Sequence, residues 1–196
     1  MNIGIIGRAR VGKDTAGSWF VEQRGYRRVA LADPLKEAAL RLDPIVGTDT
    51  DVLVGEGDRL ADVVGYWGWE RAKEVPEVRR ILQELGAAMR AIDEDFWLRQ
   101  ALKATQEAND AGVPVVITDV RYRNEAESLR RSGFHLVYIQ RPGVPNLDHE
   151  SEGALTPADA DDYIHNAGTL DEFLRLVEVT WDQVHAEQSR RFACKF

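Results

Sequence analysis

The sequence predicts an α/β fold built on a mainly parallel sheet with helices on both faces, and three observations predict it. Short, continuous apolar runs at Ile3–Ile6, Val115–Thr118 and Leu136–Ile139 have the length and composition of strands buried on both sides. Helical patterns of apolar residues separate these runs, as in the strand–helix–strand units that wind a parallel sheet. The first run also stops at a glycine and passes through Gly7-Arg8-Ala9-Arg10-Val11-Gly12-Lys13-Asp14-Thr15 into a helix.

That stretch carries the most chemistry. A strand that ends in a glycine turn and restarts as a helix aims several backbone N–H groups, and the positive end of the helix dipole, at one point. Phosphate binds there. Gly7 and Gly12 let the backbone curl, Lys13 reaches the outer phosphates, and the Thr15 hydroxyl is available to a phosphate oxygen. Asp14 stands where Ser or Thr is commoner. A carboxylate beside a triphosphate repels it, so Asp14 acts through a magnesium ion or its water, or turns away; the alternative is that it only complements the helix dipole.

The elements follow in order. Lys13–Arg24 reads as a helix and Tyr26–Leu31 as a second strand. Asp33 is read as a cap with Pro34 at the first helical position, and Leu35, Ala38, Ala39 and Leu42 as an apolar face. Pro44–Lys73 is the least regular stretch, rich in Gly and Asp, and reads as an insertion beside the site. Its Tyr66, Trp67 and Trp69 either stack on a base or anchor the insertion. Val75–Ile92 is helical, with Val78, Ile81, Leu82, Leu85, Met89 and Ile92 on one face, and Glu94–Asn109 follows as another helix. Asn124–Ser132 is a helix stopped by Gly133. Arg141–Asp161 is a polar excursion, Tyr163-Ile164 a last short strand, and the apolar positions from Leu170 to Val184 mark a closing helix.

Composition narrows the function classes. A chain of 196 residues with 44% hydrophobic and 30% charged residues is that of a soluble globular protein. No apolar run approaches membrane-spanning length, and Ile3–Ile6 is far too short for a secretion signal. Cys194 is the only cysteine, so no disulfide framework or cysteine metal cluster is expected, and the setting is reducing and cytoplasmic. A net charge of -8 argues against a surface that coats DNA or RNA. An anionic ligand must therefore meet a local group of cations, which favours a small nucleotide over a polymer.

Ligands of parallel sheets sit beyond the carboxyl ends of the strands. Past Val115–Thr118 come Asp119, Arg121 and Arg123, and past Leu136–Ile139 comes Arg141. Asp119 holds magnesium water, takes the hydroxyl side of an acceptor, or only caps a helix. Arg121 and Arg141 either neutralise phosphates, for which planar guanidinium groups suit, or are solvated charges. Arg79, Gln83, Gly86 and Arg90, spaced by four, three and four residues, share one helical stripe, with Arg80 alongside. Two cations, an amide and a glycine suit a second, monophosphate ligand; the alternative is a solvated face. Lys36, one turn into its helix, is a further phosphate candidate; the alternative is a surface lysine. His149 lies in the polar excursion without a second His or Cys at ligand spacing, so a zinc site is not expected.

Taken together, several segments resemble the phage-type deoxynucleoside monophosphate kinases. The matching pieces are Gly-x4-Gly-Lys-Asp-Thr, Ala32-Asp33-Pro34-Leu35-Lys36, Val78-Arg79-Arg80 through Gly86, Asp119-x-Arg121 with Glu125, Arg141-Pro142-Gly143 leading to His149-x-Ser151-Glu152, and Asn166 through Leu170. The resemblance implies a P-loop kinase three-layer sandwich with a five-stranded sheet in the order 2-3-1-4-5. It implies one kinase domain with a core of 1–43 and 110–196, an acceptor-binding helical insertion of about 44–109, and a lid of about 141–161. ATP would lie on Gly7, Arg10, Val11, Gly12, Lys13, Asp14 and Thr15, with Asn166 near the adenine side. The acceptor would meet Leu35, Lys36, Arg79, Arg80 and Gln83, with Asp119 and Arg121 nearby; Arg90 is added from helix spacing alone. Arg141, His149 and Glu152 would belong to the lid, and Lys13, Asp119, Arg121 and Arg141 would act in transfer. Mg²⁺ would accompany ATP, with Asp14 toward the metal. The partners implied are small nucleotides and a second copy of the chain, in the cytoplasm of a host if the gene is phage-borne.

Two rivals stand beside this reading. A kinase of the same fold acts on another small phosphate ester, such as phosphomevalonate or a coenzyme precursor, since fold does not fix the acceptor. A nucleotide-hydrolysing switch needs no second phosphate pocket.

Overall fold

A computed structural model describes residues 1–47, 54–144 and 154–193. The proposed lid residues His149 and Glu152, and Cys194, lie outside the described residues. The chain divides into two compact units, Met1–Ala30 with Leu102–Phe196, and Leu31–Ala101. The second unit therefore begins before the expected insertion and includes the helix that starts at Asp33.

The first unit holds a five-stranded sheet of β1 (Asn2–Ile6), β2 (Arg27–Val29), β3 (Val115–Val120), β4 (Phe134–Gln140) and β5 (Asp162–His165). Its order is β2-β3-β1-β4-β5, and every neighbouring pair is parallel. This is the expected order. Central β1 is buried at all five positions, as strands covered on both faces must be. Ile3 and Ile5 join Val116, Val137, Ile139 and Ile164 beneath Ala16 and Phe20 of α1 (Lys13–Arg24) and Phe173 and Val177 of α7 (Leu170–Ala193). The opposite face carries α6 (Arg123–Arg131), whose Leu129 meets Leu136 and Val120 around the space beside Gly4.

The strands are longer or shorter than their apolar runs suggest. β2 shrinks from the expected Tyr26–Leu31 to Arg27–Val29, the three residues that pair with β3; Tyr26, Ala30 and Leu31 are buried but lie outside that ladder. β3 gains Asp119 and Val120 through an irregular register: Gly4 pairs with Ile117 but Ile6 pairs with Val120. Three steps along β3 match two along β1, which is a β-bulge at Thr118 and Asp119. A bulge re-aims a side chain at the strand end. Asp119 is thus a bulge residue of the strand, and the expectation that it follows the strand is corrected.

The second unit is helical. It contains α2 (Asp33–Leu42), α3 (Leu60–Ala72), α4 (Pro76–Ile92) and the start of α5 (Phe96–Asp110), around Ala39, Val46, Leu60, Val63, Ala72, Val75 and Val78. α2 begins with Asp33 itself, Ala32 being the cap, so Asp33 does not cap the helix as expected; its carboxylate lies 3.4 Å from the Lys36 ammonium one turn on. Asp43 ends α2 in the left-handed region (φ 43°), and its carboxylate accepts the Ala61 N–H at 2.8 Å, satisfying an orphan donor of α3. The stretch expected to be irregular, Pro44–Lys73, therefore contains a helix. Leu60, Val63, Val64 and Trp67 do fall at i, i+3, i+4 and i+7. The helix is broken at Gly68 (φ 72°, ψ 167°), which interrupts the pattern before Trp69.

Candidate active site

β1 delivers the chain to the phosphate loop, and the neighbouring backbone dictates its glycines. Gly7 has φ 146°, and a Cβ there would sit 2.4 Å from the carbonyl oxygen of Ile139 on β4. Gly12 has φ 109°, with Asn166 and Phe173 3.0 Å from where its Cβ would be. Between them Arg10 adopts φ 64°, a left-handed conformation unusual for a side-chain-bearing residue. α1 starts at Lys13, and its first helical bond runs from the Ala16 N–H to the Gly12 carbonyl at 3.0 Å. The amides of its first turn thus have no intrahelical acceptor. The Lys13 ammonium donates to the carbonyls of Gly7 (2.6 Å) and Arg8 (2.5 Å), which holds it at the loop.

Asn166 is buried just after β5, and its side-chain amide donates to the Val11 carbonyl at 2.8 Å. The structure therefore brings Asn166 to the loop as a tether, a function that sequence spacing could not reveal across 155 residues. Asp14 is exposed, and its carboxylate accepts a long 3.4 Å bond from the buried Thr118 hydroxyl, with the Arg28 guanidinium at 3.9 Å. Arg28 and Thr118 escaped the sequence reading. Thr118 lies on the bulge and packs against α1, where a Cβ on Gly17 would fall 2.4 Å from its methyl group. Thr15 is exposed beside Asp14.

The strand order sets β3 and β4 on either side of β1. Asp119 lies half-buried on the β3 bulge, and Arg121 is exposed one residue past the strand. The turn between them and α6 is fixed by Glu125, a carboxylate only 6% exposed that accepts the N–H groups of Arg121 (2.8 Å) and Tyr122 (3.0 Å). Burial of an anion is costly unless such donors satisfy it. Arg141 follows β4 directly and is exposed. The first unit thus assembles the amide-lined loop, Lys13, an acidic residue from β3 and arginines from two flanking strand ends.

The second unit holds the other proposed residues. Leu35 and Lys36 lie on the first turn of α2, and the Leu35 methyl is 3.4 Å from where a Cβ on Gly86 of α4 would stand. Arg79 is exposed, donates to the Lys73 carbonyl at 3.2 Å, and has no acidic partner among the described residues. Gln83 is exposed on the same stripe. Arg80 differs: its guanidinium is gripped by Glu77 (2.5 and 2.8 Å) and Glu84 (2.6 Å). These hydrogen bonds push Arg80 further above its ordinary pKa and hold the Glu77 carboxyl below the usual range. Its charge is matched locally, which leaves less for a phosphate. Arg90 turns to the Glu94 carbonyl at 3.1 Å, at the far end of α4.

Among the described residues no three His, Cys, Asp or Glu side chains gather as a metal cage, and no helix is long and apolar enough to cross a membrane. At the loop, Asp14 and Thr15 offer one carboxylate and one hydroxyl, both exposed.

Comparison with known proteins extends these observations. The family model for deoxynucleotide monophosphate kinase matches residues 68–177. A protein of Acanthamoeba polyphaga mimivirus, provisionally named a deoxynucleotide monophosphate kinase, is 28% identical over 87% of this chain and 91% of its own. The deoxynucleotide monophosphate kinase of Escherichia phage RB69 is 29% identical over 52% of this chain and 43% of its own. Among solved structures, dephospho-CoA kinase from Campylobacter jejuni superposes with a TM-score of 0.48 at 14% identity, covering 95% of this chain and 98% of that one.

Proposed function

The chain belongs to the deoxynucleotide monophosphate kinase family, and from that premise we propose how its residues carry out ATP-dependent phosphoryl transfer to a deoxynucleoside 5′-monophosphate. An acceptor phosphate oxygen forms a bond to the γ-phosphorus, and the bond from that phosphorus to the β–γ bridging oxygen breaks. ADP leaves and a deoxynucleoside diphosphate forms. The transferred group carries negative charge spread over its equatorial oxygens, so the protein's work is positioning and charge stabilisation. Orientation of this kind supplies about 7–11 kcal/mol of barrier reduction.

The loop amides and Lys13 hold the donor triphosphate, and binding exchanges the two carbonyls now occupying the ammonium for phosphate oxygens. Mg²⁺, bound with the nucleotide near Asp14 and Thr15, would neutralise the β- and γ-phosphates. Thr118 and Arg28 restrain the Asp14 carboxylate, which lessens its repulsion of the donor. Arg121 and Arg141 meet charge that develops in transfer, and Asp119 orients the acceptor. Arg79, Lys36 and Gln83 take the acceptor, with Arg80 a supporting charge held by its two glutamates.

The observation that carries this reading is the strand order, which flanks the phosphate loop with one arginine-bearing strand end on each side. A coupled assay of ADP formation with ATP, Mg²⁺ and each natural deoxynucleoside monophosphate tests it. ADP release that depends on the acceptor and yields its diphosphate supports the reading; release without acceptor overturns it in favour of a hydrolytic switch.

A further inference from the structure

Gly68 is the most unusual backbone position in the second unit. Its φ of 72° and ψ of 167° fall in a region essentially reserved for glycine, yet it sits inside α3. Nothing lies within 4 Å of where its Cβ would be, so the backbone angle, not space, requires glycine. On an unbroken helix Trp67 and Trp69 would point about 200° apart, and one of them would face solvent. With the break, both rings pack on the same core. Glycine adopts these angles without strain, and the break they make re-aims the side chains that flank it.

The three aromatic residues of this segment end in different surroundings. Tyr66 is 85% exposed, its ring tilted at 59° to that of Trp67 with the centroids 6.2 Å apart. Trp67 has the Arg71 guanidinium of its own helix 4.9 Å over its ring. Trp69 is partly buried on the core, and the Lys36 ammonium of α2 lies 5.8 Å from its ring centroid, within cation–π range. The backbone also links it to the stripe: the Lys73 N–H bonds to the Trp69 carbonyl at 3.1 Å, and Arg79 donates to the Lys73 carbonyl at 3.2 Å. Trp69 thus packs on the core with the Lys36 cation near its ring, and its own carbonyl anchors the turn to which Arg79 bonds.

We propose that Trp69, aimed by the Gly68 break, is the platform on which the acceptor's nucleobase stacks. This rests on the kinase reading given above. Every base has a π-face, so such a platform adds affinity for any deoxynucleotide without choosing among bases by hydrogen bonds. The stack belongs to binding and not to the chemical step, so it lowers KM for the acceptor and leaves kcat alone.

Equilibrium binding of a deoxynucleoside monophosphate and of baseless 2-deoxyribose 5-phosphate to wild type and Trp69→Leu tests the proposal by calorimetry. The expected result is about tenfold weaker nucleotide binding in the variant, with binding of the baseless phosphate unchanged. Gly68→Ala should behave like Trp69→Leu. Trp69→Phe keeps a ring on the core and should hold affinity within about threefold, while abolishing the Trp69 fluorescence quench that the proposal expects the nucleotide to cause in wild type. Unchanged nucleotide affinity in Trp69→Leu, equal weakening of both ligands, or a quench that survives in Trp69→Phe each overturns the proposal. Wild type that binds the nucleotide yet forms no diphosphate overturns the kinase reading instead, and leaves the stack to be judged by the binding data.

Discussion

Replacing Asn166 with aspartate separates two roles this residue could have at the phosphate loop. The swap preserves shape and removes the N–H that the Val11 carbonyl accepts at 2.8 Å. Asn166 is 3% exposed and Val11 2%, so water cannot step in without rearrangement. An orphaned buried carbonyl costs about 1–3 kcal/mol, and a carboxylate facing it raises the cost. For a protein of this size each kcal/mol lowers Tm by about 2–4 °C, so a loss of 2–3 kcal/mol amounts to about 4–12 °C. The loop would also lose its preset conformation, and each 1.4 kcal/mol of that loss weakens the donor about tenfold. Thermal unfolding followed by circular dichroism gives the first quantity. Competition binding of ATP, GTP and inorganic tripolyphosphate gives the second. A tether acts on phosphates, so all three ligands should weaken by one factor. A variant that melts within about 1 °C of wild type, or that weakens ATP alone, refutes the tether and returns Asn166 to the adenine.

Three further outcomes follow. Arg79→Ala should weaken deoxynucleotide binding about tenfold, the loss of a charge-assisted bond to phosphate, whereas Arg80→Ala should leave calorimetric affinity within about twofold because Glu77 and Glu84 already occupy its guanidinium. Gly7→Ala would push a Cβ to 2.4 Å from the Ile139 carbonyl, displacing the loop, and kcat/KM for ATP should fall about a hundredfold; steady-state rates at wild-type level would show that the loop yields. Asp159 has its pKa held below the ordinary 3.8, first by the Thr156 backbone N–H and further by Arg123 and Arg130. A carboxyl with a depressed folded pKa stabilises fully above its unfolded value and loses that contribution as pH falls through the folded one. Asp159→Asn should therefore lower Tm at neutral pH, and the gap to wild type should close in acid; a gap independent of pH would contradict the assignment.

Local pattern carried the phosphate loop, because strand, glycine turn, lysine and helix are all neighbours in the chain. The helices α1, α4 and α6 were equally legible from apolar spacing and flanking breakers. What escaped depends on distant partners. The bulge that sets Asp119 exists only in the register between β1 and β3. Asp14 meets Thr118 from 104 residues away. α3 escaped for a different reason: its spacing was present at Leu60, Val63, Val64 and Trp67, but Gly and Asp neighbours and the Gly68 break masked it. The occupation of Arg80 was also readable, since Glu77 and Glu84 lie three residues before and four after it, the helical ion-pair spacing. The sheet order came from family resemblance and not from periodicity, which fixes strand faces but not strand neighbours.

The most direct test of the central claim follows the fate of the γ-phosphate itself. ATP labelled on that group is incubated with the protein and Mg²⁺, with and without a deoxynucleoside monophosphate, and the products are separated. Label should move to the deoxynucleoside diphosphate only when the acceptor is present, and Lys13→Ala should stop the movement. Label recovered as inorganic phosphate at the same rate in both mixtures would contradict the account.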